Sequence, residues 1–132
     1  MKYILDTNIC IYLINNKPTS VKQNLESIPP ENVFISSITA SEIWYGIYKS
    51  KFVEKNIIAF LGFLSTIKIL PYDENAAIKY GEIRAELEKS GNIIGSNDML
   101  IAAHALSLDY SLVTNNEQEF RRIKQLTVLN WV

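Results

Sequence analysis

Cysteine and histidine are nearly absent from this chain. Cys10 is the single cysteine and His104 the single histidine among 132 residues, which excludes an internal disulfide, a Cys/His zinc site and a Cys-His nucleophile pair. Any metal chemistry must therefore use oxygen ligands. A surplus of positive charge is missing too: 13 Lys and Arg against 14 Asp and Glu leave a net charge of -1. Bulk electrostatics then cannot grip nucleic acid, although a nuclease with a small, locally shaped site stays compatible. No apolar run approaches membrane-spanning length, and the N-terminus lacks a basic region followed by a long apolar stretch and a small-residue cleavage site. A cytoplasmic protein with no membrane partner is expected. Repeats, low-complexity tracts and interdomain linkers are also missing. With 48% hydrophobic and 20% charged residues, residues 1–132 read as one globular domain.

What is present is an alternation of short apolar strands with amphipathic helices. Residues 2–5 read as a buried strand and 7–14 as a helix capped by Asp6 and ending at "NNKP". Pro18 opens a second helical segment through Ile28, "PPEN" is a turn, and Val33 to Ser36 is strand-like. A helix is expected from Thr39 to residue 50 and another over 52–66, followed by a strand in "KILPY". Asp73 or Glu74 opens a long helix with Ala76, Ala77, Tyr80, Ile83 and Leu87 on its apolar face, stopped by Gly91. "NIIG" is a loop, Ser96 or Asn97 caps a helix to Leu108, "SLVT" is a strand, 116–122 a short helix and "TVLNW" a last strand. Short strands apolar on both faces predict an α/β fold, a doubly wound parallel sheet with helices on both faces. Ligands in such folds sit outside the carboxyl ends of the strands.

Three junctions carry one acid each: Asp6 in "YILDTN", Glu42 in "TASEIWYG" and Asp98 in "GSNDMLIAAHA". Each also fits a structural role. Asp6 can cap, Thr39 with Glu42 matches the S/T-x-x-E capping box, and Asp98 in a first turn favours the helix dipole. Together they suggest more, because the topology gathers them at one edge and no lysine or arginine lies within three residues of any of them. Carboxylates converging without cations raise one another's pKa or recruit a hard divalent ion, Mg²⁺ or Mn²⁺. In "LVTNNEQEF", Thr114, Asn116 and Glu119 reach the same edge; Asn116 offers a neutral oxygen, and Glu119 can stand in for a fourth carboxylate, or the stretch is an Asn-rich turn with a capped helix. Gly46, one turn beyond Glu42, admits a close approach or serves tight helix packing. His104 lies roughly 120° around its helix from Asp98 and is set aside as structural or exposed, and Cys10 as core. Lys49, Lys51, Lys55, Arg121, Arg122 and Lys124 rim a phosphate-binding cleft or lie on solvated helix faces.

These segments, in this order, resemble a PIN-domain ribonuclease, and more closely a VapC-type toxin of bacterial toxin-antitoxin pairs. "LDTNICIYLI", "ISSITASEIWYGIYKS", "GNIIGSNDMLIAAHA", "LVTNNEQEF" and the closing "NWV" carry the resemblance over essentially the whole chain. It implies a PIN-like fold, a Mg²⁺- or Mn²⁺-dependent endoribonuclease, and Asp6, Glu42 and Asp98 as metal carboxylates that serve hydrolysis by activated water. Asn116 departs from the aspartate of many PIN domains. The "GNIIGSND" loop and "EF…NWV" resemble the branch that cleaves initiator tRNA in the anticodon region. A VapB-type antitoxin, a homodimer and toxin-antitoxin hetero-oligomers are the implied partners. The apolar residues of 53–66, with Trp44 and Tyr48 before them, supply a groove for an amphipathic antitoxin helix or go into the core or a homodimer interface. Among rival classes, a receiver-like phosphoacceptor would pair acids near the first strand and place a lysine after the last core strand, and a haloacid-dehalogenase-type phosphatase would carry D-x-D-x-T, where this chain has Asn8. A less specific mRNA endonuclease and a catalytically silent RNA- or protein-binding domain stay open.

Overall fold

The computed structural model describes residues 1–132. Five short strands form one parallel sheet: β1 (Tyr3–Leu5), β2 (Val33–Ser36), β3 (Lys68–Leu70), β4 (Ser111–Val113) and β5 (Val128–Leu129), in the spatial order β3-β2-β1-β4-β5. Leu5 pairs with Ile35 on one side and Val113 on the other. β1 is therefore central, and the chain first builds outward to β3 and then returns to build β4 and β5. Strand order reverses at the β1/β4 boundary, which opens a crevice at their carboxyl ends.

Alternation along the strands divides the core in two. Ile4, Leu112 and Val128 pack on one face against α5 (Glu74–Ser90) and α6 (Ser96–Leu108). Leu5, Val33, Ile35 and Val113 pack on the other against α1 (Thr7–Asn15), α2 (Thr19–Glu26), α3 (Ser37–Lys49) and α4 (Val53–Leu64). Helices thus cover both faces, as the strand pattern predicts. A short α7 (Glu117–Phe120) closes the loop after β4. No helix is long and apolar enough to cross a membrane.

Helix boundaries follow local chemistry. Asp6 caps α1 and Asp73 caps α5, accepting from Ile9 N and Ala76 N respectively. Gly91 ends α5 at φ 72°, a left-handed conformation that glycine adopts without a Cβ penalty. Two expected starts differ. α3 begins at Ser37, because the Ser36 hydroxyl accepts from Ile38 N. The Thr39–Glu42 capping box therefore does not form: Thr39 lies inside the helix, fully buried, with an Oγ1 that finds no hydrogen-bond partner. α6 begins at Ser96 behind Gly95 with no side-chain cap, so neither Ser96 nor Asn97 plays that part. Ala77, placed on the apolar face of α5 by periodicity, is exposed. His104 is buried, its Nδ1 2.8 Å from the Ser36 hydroxyl and its ring edge-on to Tyr72. Cys10 is buried, as read from the sequence.

Candidate active site

Asp6 extends β1 by one residue. Its backbone N–H still donates to Val113 O at 3.0 Å, which ties it to the neighbouring strand while its side chain turns into the crevice. One carboxylate oxygen accepts from Ile9 N at 3.1 Å and the other from the Thr114 hydroxyl. Thr114 lies one residue past β4 just as Asp6 lies one past β1, so strand register sets them side by side. Burial raises the Asp6 pKa, and the bonds from Thr114 and Ile9 oppose the rise.

Glu42 enters from the second turn of α3 and accepts from the Thr7 hydroxyl of α1 at 2.8 Å. Asp98 enters from the first turn of α6, half-buried. Its pKa is pushed up to about 7, first by burial, then by Glu119 beside it, and further by the charges of Asp6 and Glu42. No ion pair in the molecule involves these acids. Asn116 donates through its backbone N–H to Thr114 Oγ1 and through its amide to Glu119 Oε2, each at 2.9 Å.

Asp6, Thr7, Asn8, Glu42, Asp98, Ile101 and Asn116 line one polar cleft of about 150 Å³. Four of the six residues singled out from the sequence thus share a cavity, while Thr114 stands behind it on Asp6 and Glu119 on Asn116. No trio of acidic, His or Cys side chains is drawn into a preformed metal cage. An all-oxygen set with neutral supports still fits a hard ion that keeps most of its waters and takes one or two carboxylates, the habit of Mg²⁺. The raised proton affinity of Asp98 comes first from its burial and then from the neighbouring acids. None of Lys49, Lys51, Lys55, Arg121, Arg122 and Lys124 lines the cleft. Arg121 pairs with Glu117 at 2.7 Å, and Arg122 donates to Ile93 O.

Beside the cleft runs an apolar groove of about 270 Å³ between α1, α3 and α4, lined by Ile11, Ile14, Ile43, Gly46, Ile47 and Phe60, with Glu42 at its end. A Cβ on Gly46 would meet nothing within 4 Å, so tight helix packing is not the reason for this glycine.

The PIN domain family model matches residues 3–126. The chain belongs to that family, in its VapC branch. Ribonuclease VapC2 of Rickettsia felis is 48% identical to this PIN domain over 132 residues, 99% of this chain and 98% of that protein. The tRNA(fMet)-specific endonuclease VapC of Shigella flexneri is 44% identical over 131 residues, 99% of this chain and 98% of that protein. The crystal structure of VapBC2 from Rickettsia felis, bound to a DNA fragment from their promoter, superposes with a TM-score of 0.93 at 46% identity, covering 100% of both chains.

The sequence alone did not point to Thr7, Asn8 or the Asn115–Tyr12 contact, in which the Asn115 amide donates to the Tyr12 hydroxyl at 2.7 Å and pins the loop after β4 to α1. Thr7 follows Asp6 directly, and its partner Glu42 is 35 residues away. Adjacency to a candidate acid was its only signal.

Proposed function

We propose that this chain is the toxin of a VapBC-type pair, a Mg²⁺- or Mn²⁺-dependent endoribonuclease that cuts tRNA at one site, with the anticodon region of initiator tRNA the foremost candidate. The observation that carries the reading is the meeting of Asp6, Glu42 and Asp98, from three separate elements, in a solvent-open cleft where hydroxyls and amides hold them and no cation answers them. Relatives named as VapC ribonucleases and as tRNA(fMet)-specific endonucleases support the substrate class.

Asp6, Glu42 and Asp98 would hold the ion, and Asn116 Oδ1 offers a neutral oxygen in the same cleft to it or its water. When bound, the ion supplies Lewis acidity to the scissile phosphate and a water of lowered pKa. The chain's own residues do the positioning. Thr114 and Ile9 N fix both oxygens of Asp6, Thr7 fixes Glu42, and Asn116 holds Glu119 beside Asp98. Cys10 is buried in the apolar core and His104 is bonded to Ser36, so neither offers a nucleophile, and family membership assigns the attack to water. A VapB-type antitoxin would lay an amphipathic helix in the groove between α1, α3 and α4 and extend a basic side chain to Glu42. A homodimer in the cytoplasm completes the reading.

Asp98→Asn keeps the shape of the side chain and removes its charge. Cleavage of total tRNA with Mg²⁺, followed by mapping of the new ends, should show one dominant cut for the native chain and a loss of about a hundredfold or more for the variant, on the scale of losing a principal charge-stabilising group. Equal cleavage by the variant overturns the site assignment. Cuts scattered over most messages favour a general mRNA endonuclease, and no cutting by the native chain favours a silent binding domain.

A further inference from the structure

Three lysines that follow Glu42 along the chain have no acidic partner. The ion pairs of the molecule engage Lys79, Arg84 and Arg121, whereas Lys49, Lys51 and Lys55, around the α3–α4 corner, pair with no carboxylate. Two of them rest over aromatic rings instead. Lys49 Nζ lies 5.1 Å from the centre of the Tyr45 ring, and Lys55 Nζ lies 5.9 Å from that of Phe52. Tyr45 is 65% exposed, as are Tyr48 and Phe52, so its ring is open to a ligand.

The placement of Tyr45 follows from helix geometry. At 100° and 1.5 Å per residue, Tyr45 and Lys49 lie within roughly 60° of Glu42 around α3 and about 4.5 and 10.5 Å further along it. Side chains on a helix lean toward its N-terminus, and the N-terminus of α3 stands at the cleft edge of the sheet. Tyr45 thus stands one turn beyond Glu42 on the same side of α3, and Lys49 reaches back over Tyr45, as the 5.1 Å contact records. Outward from Glu42, one stripe of α3 presents a carboxylate, an aromatic ring and a cation that rests on that ring and pairs with no acid. Ile43, Gly46 and Ile47, which line the apolar groove, turn to the other side of Glu42. The stripe and the groove are separate surfaces.

A ring face followed by a cation matches a nucleotide with its base unpaired: the base stacks on the ring and the next phosphate meets the ammonium group. Paired bases expose no free π-face, so the match selects loops and single strands. We propose that Tyr45 and Lys49 bind the unpaired nucleotide that flanks the cut bond, Tyr45 by stacking its base and Lys49 by contacting its phosphate. The inference rests on the ribonuclease reading and adds to it the single-stranded character of the substrate at that position. It also explains how a chain of net charge -1 engages RNA: by a local track rather than by its overall field.

The test compares Tyr45→Ala, Tyr45→Phe and Lys49→Ala. Binding of a fluorescein-labelled, unpaired oligoribonucleotide is measured by anisotropy in an Asp98→Asn background, and cleavage of total tRNA in the otherwise native chain. Tyr45→Ala should weaken binding about tenfold, the scale of one lost base stack, and raise KM while kcat stays close to native. Tyr45→Phe keeps the ring and should bind as the native chain does. Lys49→Ala should lower the slope of log Kd against log salt by about 0.7, one phosphate contact on a single strand. Far-ultraviolet dichroism and the melting temperature check that each exposed-site variant folds. Unchanged RNA binding by Tyr45→Ala, in a chain that cuts RNA, overturns the proposal. So does an equal loss in Tyr45→Phe, or a loss confined to antitoxin binding or self-association. If the native chain neither binds nor cuts RNA, the ribonuclease reading fails first and this inference falls with it.

Discussion

Asp98 is the residue on which the electrostatics of the cleft converge. Its pKa of about 7 stands against an ordinary 3.8, so between those values the folded state holds a proton that the unfolded chain has released. Stability therefore falls as pH rises through that window. His104 works in the opposite sense: burial lowers its pKa below 6.5, and acidification below that value favours the unfolded chain. Asp98→Asn isolates the first effect. In chelator, thermal melts on either side of the window should show the native protein losing stability toward high pH and the variant losing less, with the variant the more stable of the two at the alkaline end. A variant that melts below the native protein there would mean the acids do not repel one another. Asp6 was legible as the anchor of this cluster, because an aspartate between two apolar runs marks a strand-to-helix junction. Thr114 was legible at the same edge, and it bonds Asp6 across 108 residues; Thr7 was not, because a hydroxyl becomes an acid's support only when folding brings its partner in, here from 35 residues away.

Elements show why local motifs misplace a boundary. Ser36 and Thr39 both satisfy N-cap chemistry, and three residues later than Thr39 a glutamate completes a box. The sheet decides between them: β2 runs to Ser36, whose hydroxyl is already positioned for Ile38 N and His104. Thr39 is left as a buried hydroxyl without a partner, and a buried unsatisfied group costs about 1–3 kcal/mol. Thr39→Val is close in shape and removes that group. Urea denaturation should show a variant as stable as the native chain or more so by up to about 1 kcal/mol, the sign expected when an unpaired hydroxyl is replaced by a methyl. A loss of about 1 kcal/mol, the mark of a broken cap, would restore Thr39 to the helix start. Strong single signals fared better. Asp73 and Gly91 bound α5 where the sequence places them, because a side-chain cap and a left-handed glycine act within one turn. His104 was legible only in part: its angle kept it out of the cleft, but its burial depends on Ser36, 68 residues distant.

At the scale of the molecule, alternating short strands and helices were enough to give the parallel sheet and its two covered faces. The strand order was not readable from pattern, since nothing in β4 alone says that it pairs with β1 rather than extends past β3. That pairing is what brings Thr114 and Asn116 to Asp6. Glu42 has a consequence of its own at this scale, because it closes the apolar groove and also walls the polar cleft. An occupant of one cavity and an occupant of the other then share a single side chain, and a thermodynamic cycle ties their affinities together. Whatever factor an antitoxin helix takes from the affinity for Mg²⁺, Mg²⁺ must take from the affinity for the helix, with couplings of this kind commonly about 5- to 150-fold. Titration calorimetry of each in the presence and absence of the other should return the same factor twice, and Glu42→Gln should reduce both together. Two independent affinities would mean that the groove and the cleft do not communicate through Glu42.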